Sequence, residues 1–306
     1  MTDRRLKQMI SVIGVVAPLI GTIFAIWLLW QRLVNWNDIA ILAGMYFFTA
    51  IGITIGYHRM LTHRGFETHP AVRVFFLMLG SMAVEGPALD WASIHIKHHA
   101  NTDTEDDPHS PLDGFFHAHI GWFISGFIAE PEIYGKWLLK DPIVMFMSKT
   151  FFVWGALGFV IPYLLGGWTG VLWGGLVRMF LTHHVTWSVN SICHIFGARM
   201  FDTPDRSKNN WLVGLLAFGE GWHNNHHAFP RSAFHGLRWW QFDLSAYIIR
   251  GLEQLGLIWN VWRIPTERLR ARSSISGRSS DYRYESEAAQ KGTLRATYRQ
   301  HSDRRG

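Results

Sequence analysis

The sequence holds one cysteine, Cys193, in 306 residues. A lone thiol excludes an internal disulfide, a Cys-based zinc site and an iron–sulfur cluster. Any metal is then held by nitrogen and oxygen ligands, and any further redox cofactor comes from another protein. Charge is scarce too: Asp, Glu, Lys and Arg make up 17% of the chain, against about 25% in soluble domains. It is also uneven. Residues 263–306 hold eleven Lys/Arg against five Asp/Glu and so carry the whole net charge of +6. The basic balance describes a tail and not the body. Aromatic residues lie in apolar runs and not between basic ones, so no nucleic-acid partner is expected.

What is abundant is apolar and aromatic: 48% hydrophobic residues, with 16 Trp. Residues 10–30 and 39–57 carry no charge, and each is long enough to cross a hydrocarbon core of about 30 Å as a helix. A polar loop with Arg32, Asn35, Asn37 and Asp38 joins them. The first run is too long, and lacks the small-residue cleavage site, for a cleaved signal peptide. After a long middle segment, residues 143–165 and 171–190 form a second apolar pair around a glycine-rich turn at 166–170. The pattern predicts an all-α membrane protein with four transmembrane helices in two hairpins. A cytoplasmic helical cap would comprise residues 58–142 and 191–262, and residues 263–306 would form a basic, disordered tail. Arg4, Arg5 and Lys7 flank the first span, while the hairpin tips hold only Arg32. The positive-inside rule then places both termini and the cap in the cytoplasm. Residues 75–84 are apolar but too short to cross, which fits an interfacial or re-entrant helix. Residues 237–262, with Trp239, Trp240, Phe242, Tyr247 and Trp259, read as an amphipathic surface segment. Lys149 stands where it can snorkel to the headgroups. Arg178 falls well inside the fourth span, where a charge has to face protein.

Seventeen histidines are a large excess. The topology puts their clusters on one face of the membrane: His58 and His63 after the second span, His95, His98, His99, His109, His117 and His119 in the middle segment, His194 after the fourth, then His223, His226 and His227. His95-Ile-Lys-His98-His99 and His223-Asn-Asn-His226-His227 share one pattern. On a helix, positions i, i+3 and i+4 share a face, so each triplet can embrace one metal or divide between two. His58 and His63, at i and i+5, lie about 140° apart on an α-helix, which predicts service to different metals or a helix end. Nine imidazoles are too many for one ion, and zinc normally takes four ligands. Imidazole suits Fe, Zn, Cu and Ni, and two iron ions with open positions fit the count best. A single histidine box could be chance; three together on one face are not. His69, His235 and His301 read as ordinary structural or surface groups, and His183 and His184 chiefly as packing within the fourth span. The run from Asp103 to Asp107, before Pro108 and His109, is a solvated turn, a further metal site or a set of carboxylates that orient ligand N–H groups.

These residues carry a resemblance. The boxes His58-Arg-Met-Leu-Thr-His63, His95-Ile-Lys-His98-His99 and His223-Asn-Asn-His226-His227, in this order with these spans between them, resemble the integral-membrane fatty-acid desaturases of stearoyl-CoA desaturase type, including bacterial acyl-CoA desaturases. Asn190-Ser-Ile-Cys-His194 is similar to that family's N-S-x-x-H element. The resemblance implies metal ligands at His58, His63, His95, His98, His99, His194, His223, His226 and His227, with Asn190 holding a metal through water. It implies two iron ions cycling between Fe2+ and Fe3+, O2 as co-substrate, and no catalytic residue beyond the ligands. Trp91, Thr186 and Trp187 would line the bend of an acyl tunnel, and Arg178 occurs in relatives at this spacing. The implied reaction inserts a cis double bond, at C9, into a saturated fatty acyl-CoA or acyl-lipid. Electrons would come from a separate donor such as ferredoxin, rubredoxin or cytochrome b5 with its reductase, since the chain shows no cytochrome b5 module. The implied place is a bacterial cytoplasmic membrane, with the active site facing the cytoplasm. A membrane di-iron hydroxylase of alkanes or lipids would share the boxes. A metal transporter would need polar residues along the spans, where only Arg178, His183 and His184 lie.

Overall fold

The computed structural model describes residues 3–31 and 33–275. Arg32, His301 and most of the basic tail lie outside the described residues. Helix α1 (Asp3–Trp30) has 28 residues, about 42 Å at 1.5 Å per residue. It keeps apolar side chains such as Ile20, Ile23 and Trp27 on its outer surface. The loop after it ends in a capping box, in which Asn35 accepts from the Asp38 N–H and the Asp38 carboxylate accepts from the Asn35 N–H. That satisfies amides which start α2 (Trp36–Ile51).

Helix α2 runs on into a π-helix, Gly52–Thr62. Helix α3 (Pro70–Met82) lies against this stretch. A Cβ at Gly52 would stand 2.2 Å from the Gly80 backbone nitrogen, so the two backbones meet where neither has a side chain. The apolar run at 75–84 thus lies mostly within α3, a half-buried helix too short to cross. Helix α4 (Ala88–Asn101) follows and carries the second histidine box.

The third apolar run starts later than its hydropathy indicates. Asp141 caps a separate short helix, Pro142–Lys149, and Thr150 leaves helical geometry at φ −98°, ψ 14°. Helix α5 (Phe151–Gly170) begins only there. Gly167 breaks it with φ 60° and ψ −142°, a conformation that favours glycine. The chain then folds back through a π-helical stretch, Val171–Val177, into α6 (Arg178–Ile195). Glycines let the two arms touch, Gly174 against Pro162 and Gly175 against Phe159. By length and composition Arg5–Trp30, Trp36–Thr62 and Phe151–Ile195 can cross a membrane, the last being this hairpin. Arg178 is fully buried and donates to the carbonyl oxygens of Gly174, Met82 and Gly158. Three backbone acceptors replace water around its charge.

The remaining segments assemble beside the helix ends. Glu67–Thr68 pairs antiparallel with Ile258–Trp259, which ties the region after α2 to the C-terminal part. Within 237–262 the amphipathic helix is Leu244–Gln254. The short helix α7 (His223–Ala228) carries the third histidine box. A helix at Thr266–Ile275 lies within the stretch expected to be a disordered tail. Its Leu269 is buried against Met200, Phe201, Ala228 and Phe229; residues 276–306 lie outside the described residues.

Candidate metal centre and cavity

The nine histidines converge as two groups. The ligand nitrogens of His58, His63, His95, His99 and His226 all lie within 4.8 Å of one another, and so do those of His98, His194, His223 and His227. The boxes divide crosswise. On α4, positions i and i+4 (His95, His99) join the first group and i+3 (His98) the second. On α7, i and i+4 (His223, His227) join the second and i+3 (His226) the first.

His58 and His63 serve one group and not two metals, and His63 stands at the helix end, as the C-cap of the π-helix. The π-helix explains this. Its i→i+5 hydrogen bonds, such as His63 N–H to the His58 carbonyl at 3.0 Å, bring residues five apart onto one line. Their Nε2 atoms lie 3.1 Å apart.

Five Nε2 atoms close a ring: His58–His63 3.1 Å, His63–His95 3.1 Å, His95–His99 3.0 Å, His99–His226 2.9 Å and His226–His58 3.2 Å. An odd ring cannot alternate donors with acceptors, so neutral imidazoles cannot satisfy it by hydrogen bonding alone. A cation at its centre can. Metal–imidazole bonds of about 2.1 Å put ligand nitrogens at right angles about 3 Å apart. In the second group His194 Nε2 and His223 Nε2 are 3.0 Å apart, while His98 Nε2 and His227 Nε2 are buried with no hydrogen-bond partner. Orphaned buried acceptors of this kind fit a metal. Burial first, then the neighbouring histidines, holds His63, His95, His98, His99, His223 and His226 well below the usual imidazole range. The rings are therefore neutral and offer lone pairs.

Carboxylates fix which nitrogen points inward. Asp107 lies 2.9 Å from His98 Nδ1, Asp103 3.1 Å from His194 Nδ1 and Asp205 3.0 Å from His227 Nδ1. Each holds the Nδ1–H and leaves Nε2 free as a ligand. The acidic run is thus no solvated turn at these two positions. Asp103 also takes a left-handed φ of 57°, which Asp tolerates, and this turns its carboxylate from the end of α4 back to α6. Glu220 stands between His58 Nδ1 (2.7 Å) and His235 Nδ1 (3.0 Å), and its other oxygen accepts from Arg59 Nε at 3.0 Å. Burial pushes the Glu220 carboxyl up, but His235, His58 and Arg59 outweigh it and hold it well below the usual range. His235 is buried at 1% exposure as part of this support.

Asp205, Glu220 and His235 were not among the residues singled out from sequence for a role. The one signal for Glu220 is its place three residues before the third box. Among the other histidines, His109 is buried against His98 and 3.5 Å from Asp107. His183 Nε2 meets the Ala83 carbonyl oxygen. His119 links His184 to Ser191. His117 stands 3.8 Å from Asp113. None of these enters either nitrogen group.

A cavity of about 410 Å³ opens from the centre. His58, His95, His223 and Asn190 line its inner end together with Trp91, Thr186 and Trp187. Trp91 stacks on the His95 ring with centroids 5.3 Å apart. Glu85 joins the walls: one carboxylate oxygen accepts from Trp91 Nε1 at 3.1 Å and the other from Thr186 Oγ1 at 2.8 Å. Burial raises its pKa to about 7, against the lowering effect of those two hydrogen bonds. A lone acid inside the apolar stretch before α4 was the signal that could have marked it.

Residues 35–260 match the fatty acid desaturase family. The chain belongs to that family. It is 43% identical to an sn-1 stearoyl-lipid 9-desaturase of Anabaena variabilis, over 74% of this chain and 85% of that one. It is 41% identical to a hex-5-enoyl-acyl-carrier-protein acetylenase of Moorena producens, over 83% and 85%. It is 42% identical to an acyl-CoA C20 Delta5-desaturase of Anemone leveillei, over 76% of each. The desaturase chain is therefore a membrane oxidoreductase of lipid metabolism that acts on fatty acyl chains.

Proposed function

We propose that this desaturase inserts a cis double bond at C9 of a saturated acyl chain, using two iron ions, O2 and a separate electron donor. The observation that carries the reading is one cavity whose inner end is lined by histidines of both groups and whose walls are otherwise mostly apolar. His58, His63, His95, His99 and His226 would hold one iron. His98, His194, His223 and His227 would hold the other, with Asn190 contributing through water. Bound iron would supply O2 activation: one O2, two electrons, two protons and two hydrogens from adjacent methylenes yield the alkene and two waters.

The chain's own residues do the positioning. A mid-chain methylene offers no polar handle, so selectivity comes from where the walls hold it. Trp91, Thr186 and Trp187 form the inner wall beside the nitrogens, and Glu85 locks Trp91 to Thr186. The apolar lining excludes water from the reacting carbons. Four spans in two hairpins, with both termini and the cap in the cytoplasm of a bacterium, would let a soluble ferredoxin, rubredoxin or cytochrome b5 deliver the electrons.

The test is expression in a host lacking unsaturated fatty acids, followed by mass spectrometry of double-bond position. A C9 cis alkene is expected, and none from His98→Ala, whose iron content also falls. Hydroxylated chains without alkene would sink the desaturation reading in favour of a di-iron hydroxylase. Full activity in His98→Ala would sink the ligand assignment.

A further inference from the structure

The outer end of the cavity is lined by helices long and apolar enough to cross a membrane. Leu6, Lys7, Ile10, Ser11 and Gly14 of α1 line it, and this spacing is one face of a helix. From Leu6 to Gly14 the face runs about 12 Å along the axis, inside the apolar stretch Arg5–Trp30. Phe152, at the start of α5, lines the same cavity. Leu6, Ile10 and Phe152 are 40%, 44% and 70% exposed. Apart from Lys7 and Ser11 the rim is thus apolar, outward-facing and carried by two helices whose outer surfaces suit hydrocarbon.

We propose that the acyl chain reaches the metal centre sideways from the bilayer, through the opening between α1 and the start of α5, while still esterified to a membrane lipid. This rests on the desaturase reading above and adds the acyl carrier and the route.

Charge at the rim agrees with a lipid carrier. Coenzyme A brings several phosphates, which need clustered Lys or Arg. Among the described residues lining the cavity Lys7 is the one Lys or Arg, and its ammonium stands 3.9 Å from the Asp90 carboxylate. A lipid needs no such cluster. Its glycerol and headgroup stay at the interface beside Lys7 and Asp90, and its chain leaves one apolar medium for another. The transfer asks little desolvation of the chain, so shape and length decide how far it enters.

Photolabelling tests this apart from turnover. The full protein goes into phosphatidylcholine vesicles doped with phosphatidylcholine bearing a mid-chain diazirine stearoyl group. In parallel it meets stearoyl-CoA with the same diazirine. The lipid probe is expected to label peptides holding Trp91 and Thr186. Ser11→Cys, modified after folding with a bulky thiol-reactive disulfide, should lose that label about tenfold, equivalent to about 1.4 kcal/mol of binding. Reduction should restore it. Cys193, the one native cysteine, is buried, so the reagent finds little else. The same modification of Val12→Cys, 44% exposed at the wild-type valine, should leave labelling unchanged. Labelling of Trp91 and Thr186 by the CoA probe alone, or equal loss from both cysteine variants, overturns the proposal. A parallel assay with iron-loaded, reduced enzyme and deuterated stearoyl-phosphatidylcholine separates the two readings. Inner labelling with only hydroxylated product leaves the route standing and removes the desaturase reading.

Discussion

At the residue scale the centre depends on proton placement as much as on nine imidazoles. A ligand histidine works only if its far nitrogen keeps the proton, and Asp103, Asp107 and Asp205 each hold one Nδ1–H. Asp205→Asn keeps the shape but weakens that hold on His227. Metal affinity of the second group should fall about 10–100-fold, read as iron retained against a chelator, with little change in the apo protein's melting temperature. Unchanged retention would mean that Asp205 only braces its loop. Glu85 gives a second prediction. Its pKa, about 7 when folded, exceeds the unfolded value of about 4.3. Between these values the folded carboxyl binds a proton that the unfolded one has lost, so stability falls as pH rises through that window and levels off above it. The full effect is about 4 kcal/mol at most. Glu85→Gln cannot ionise, and its melting temperature should lose this slope relative to the parent. Parallel curves from pH 4.5 to 8, a range set by that window, would place the ionised form in the native cavity.

At the element scale, legibility followed locality. Boxes spaced i, i+3 and i+4 could be read because a helix alone decides which face they share. Their division between two groups could not, because it depends on how α4 and α7, with 121 residues between Asn101 and His223, cross in space. For His58 and His63 the helix-end alternative holds, since His63 caps the π-helix Gly52–Thr62; service to different metals does not, because that alternative assumes an α-helix and the π-helix has another turn. The pattern Gly52, Gly56 and Gly80 records the packing that accompanies it. Asp205 and Glu220 were hidden because an acid's role is set by which imidazole it meets, and His58 lies 162 residues from Glu220. The third apolar run was placed early because hydropathy does not see the Asp141 cap or the break at Thr150. Gly52→Ala tests the π-helix packing. Its Cβ would meet Gly80 N at 2.2 Å and Leu79 C at 2.3 Å, and backbone cannot rotate away. Overpacking of this kind costs about 1–3 kcal/mol. A lower melting temperature together with reduced iron content is expected, since His58 and His63 ride on the same stretch. A variant with normal melting and iron loading would show that α3 yields freely.

At the scale of the whole molecule, the helices themselves separate the hairpin tips from the chemistry. Asn37 lies at the start of α2 and its side-chain amide reaches the Leu165 carbonyl oxygen at 3.4 Å, so the tip of the first hairpin meets that of the second. From Asn37 the chain climbs 21 residues to His58, about 30 Å of helix and about one hydrocarbon core. From Thr169 the returning arm climbs 25 residues to His194, a similar rise. Both tips therefore share one end, and both nitrogen groups the other. If the helices cross the bilayer, the tips and the metal centre face opposite compartments, whatever the side. Single cysteines decide this, because Cys193 is buried. In sealed inverted vesicles, Glu105→Cys and Asp202→Cys should react with an impermeant maleimide, while Asn37→Cys and Thr169→Cys should react only after the vesicles are opened. Asp202 is 84% exposed at its side chain, so poor access would not explain a negative result there. Reaction of all four from one side would mean that the hairpins dip into the membrane without crossing it, and the positive charge at Arg4, Arg5 and Lys7 would then carry no topological meaning.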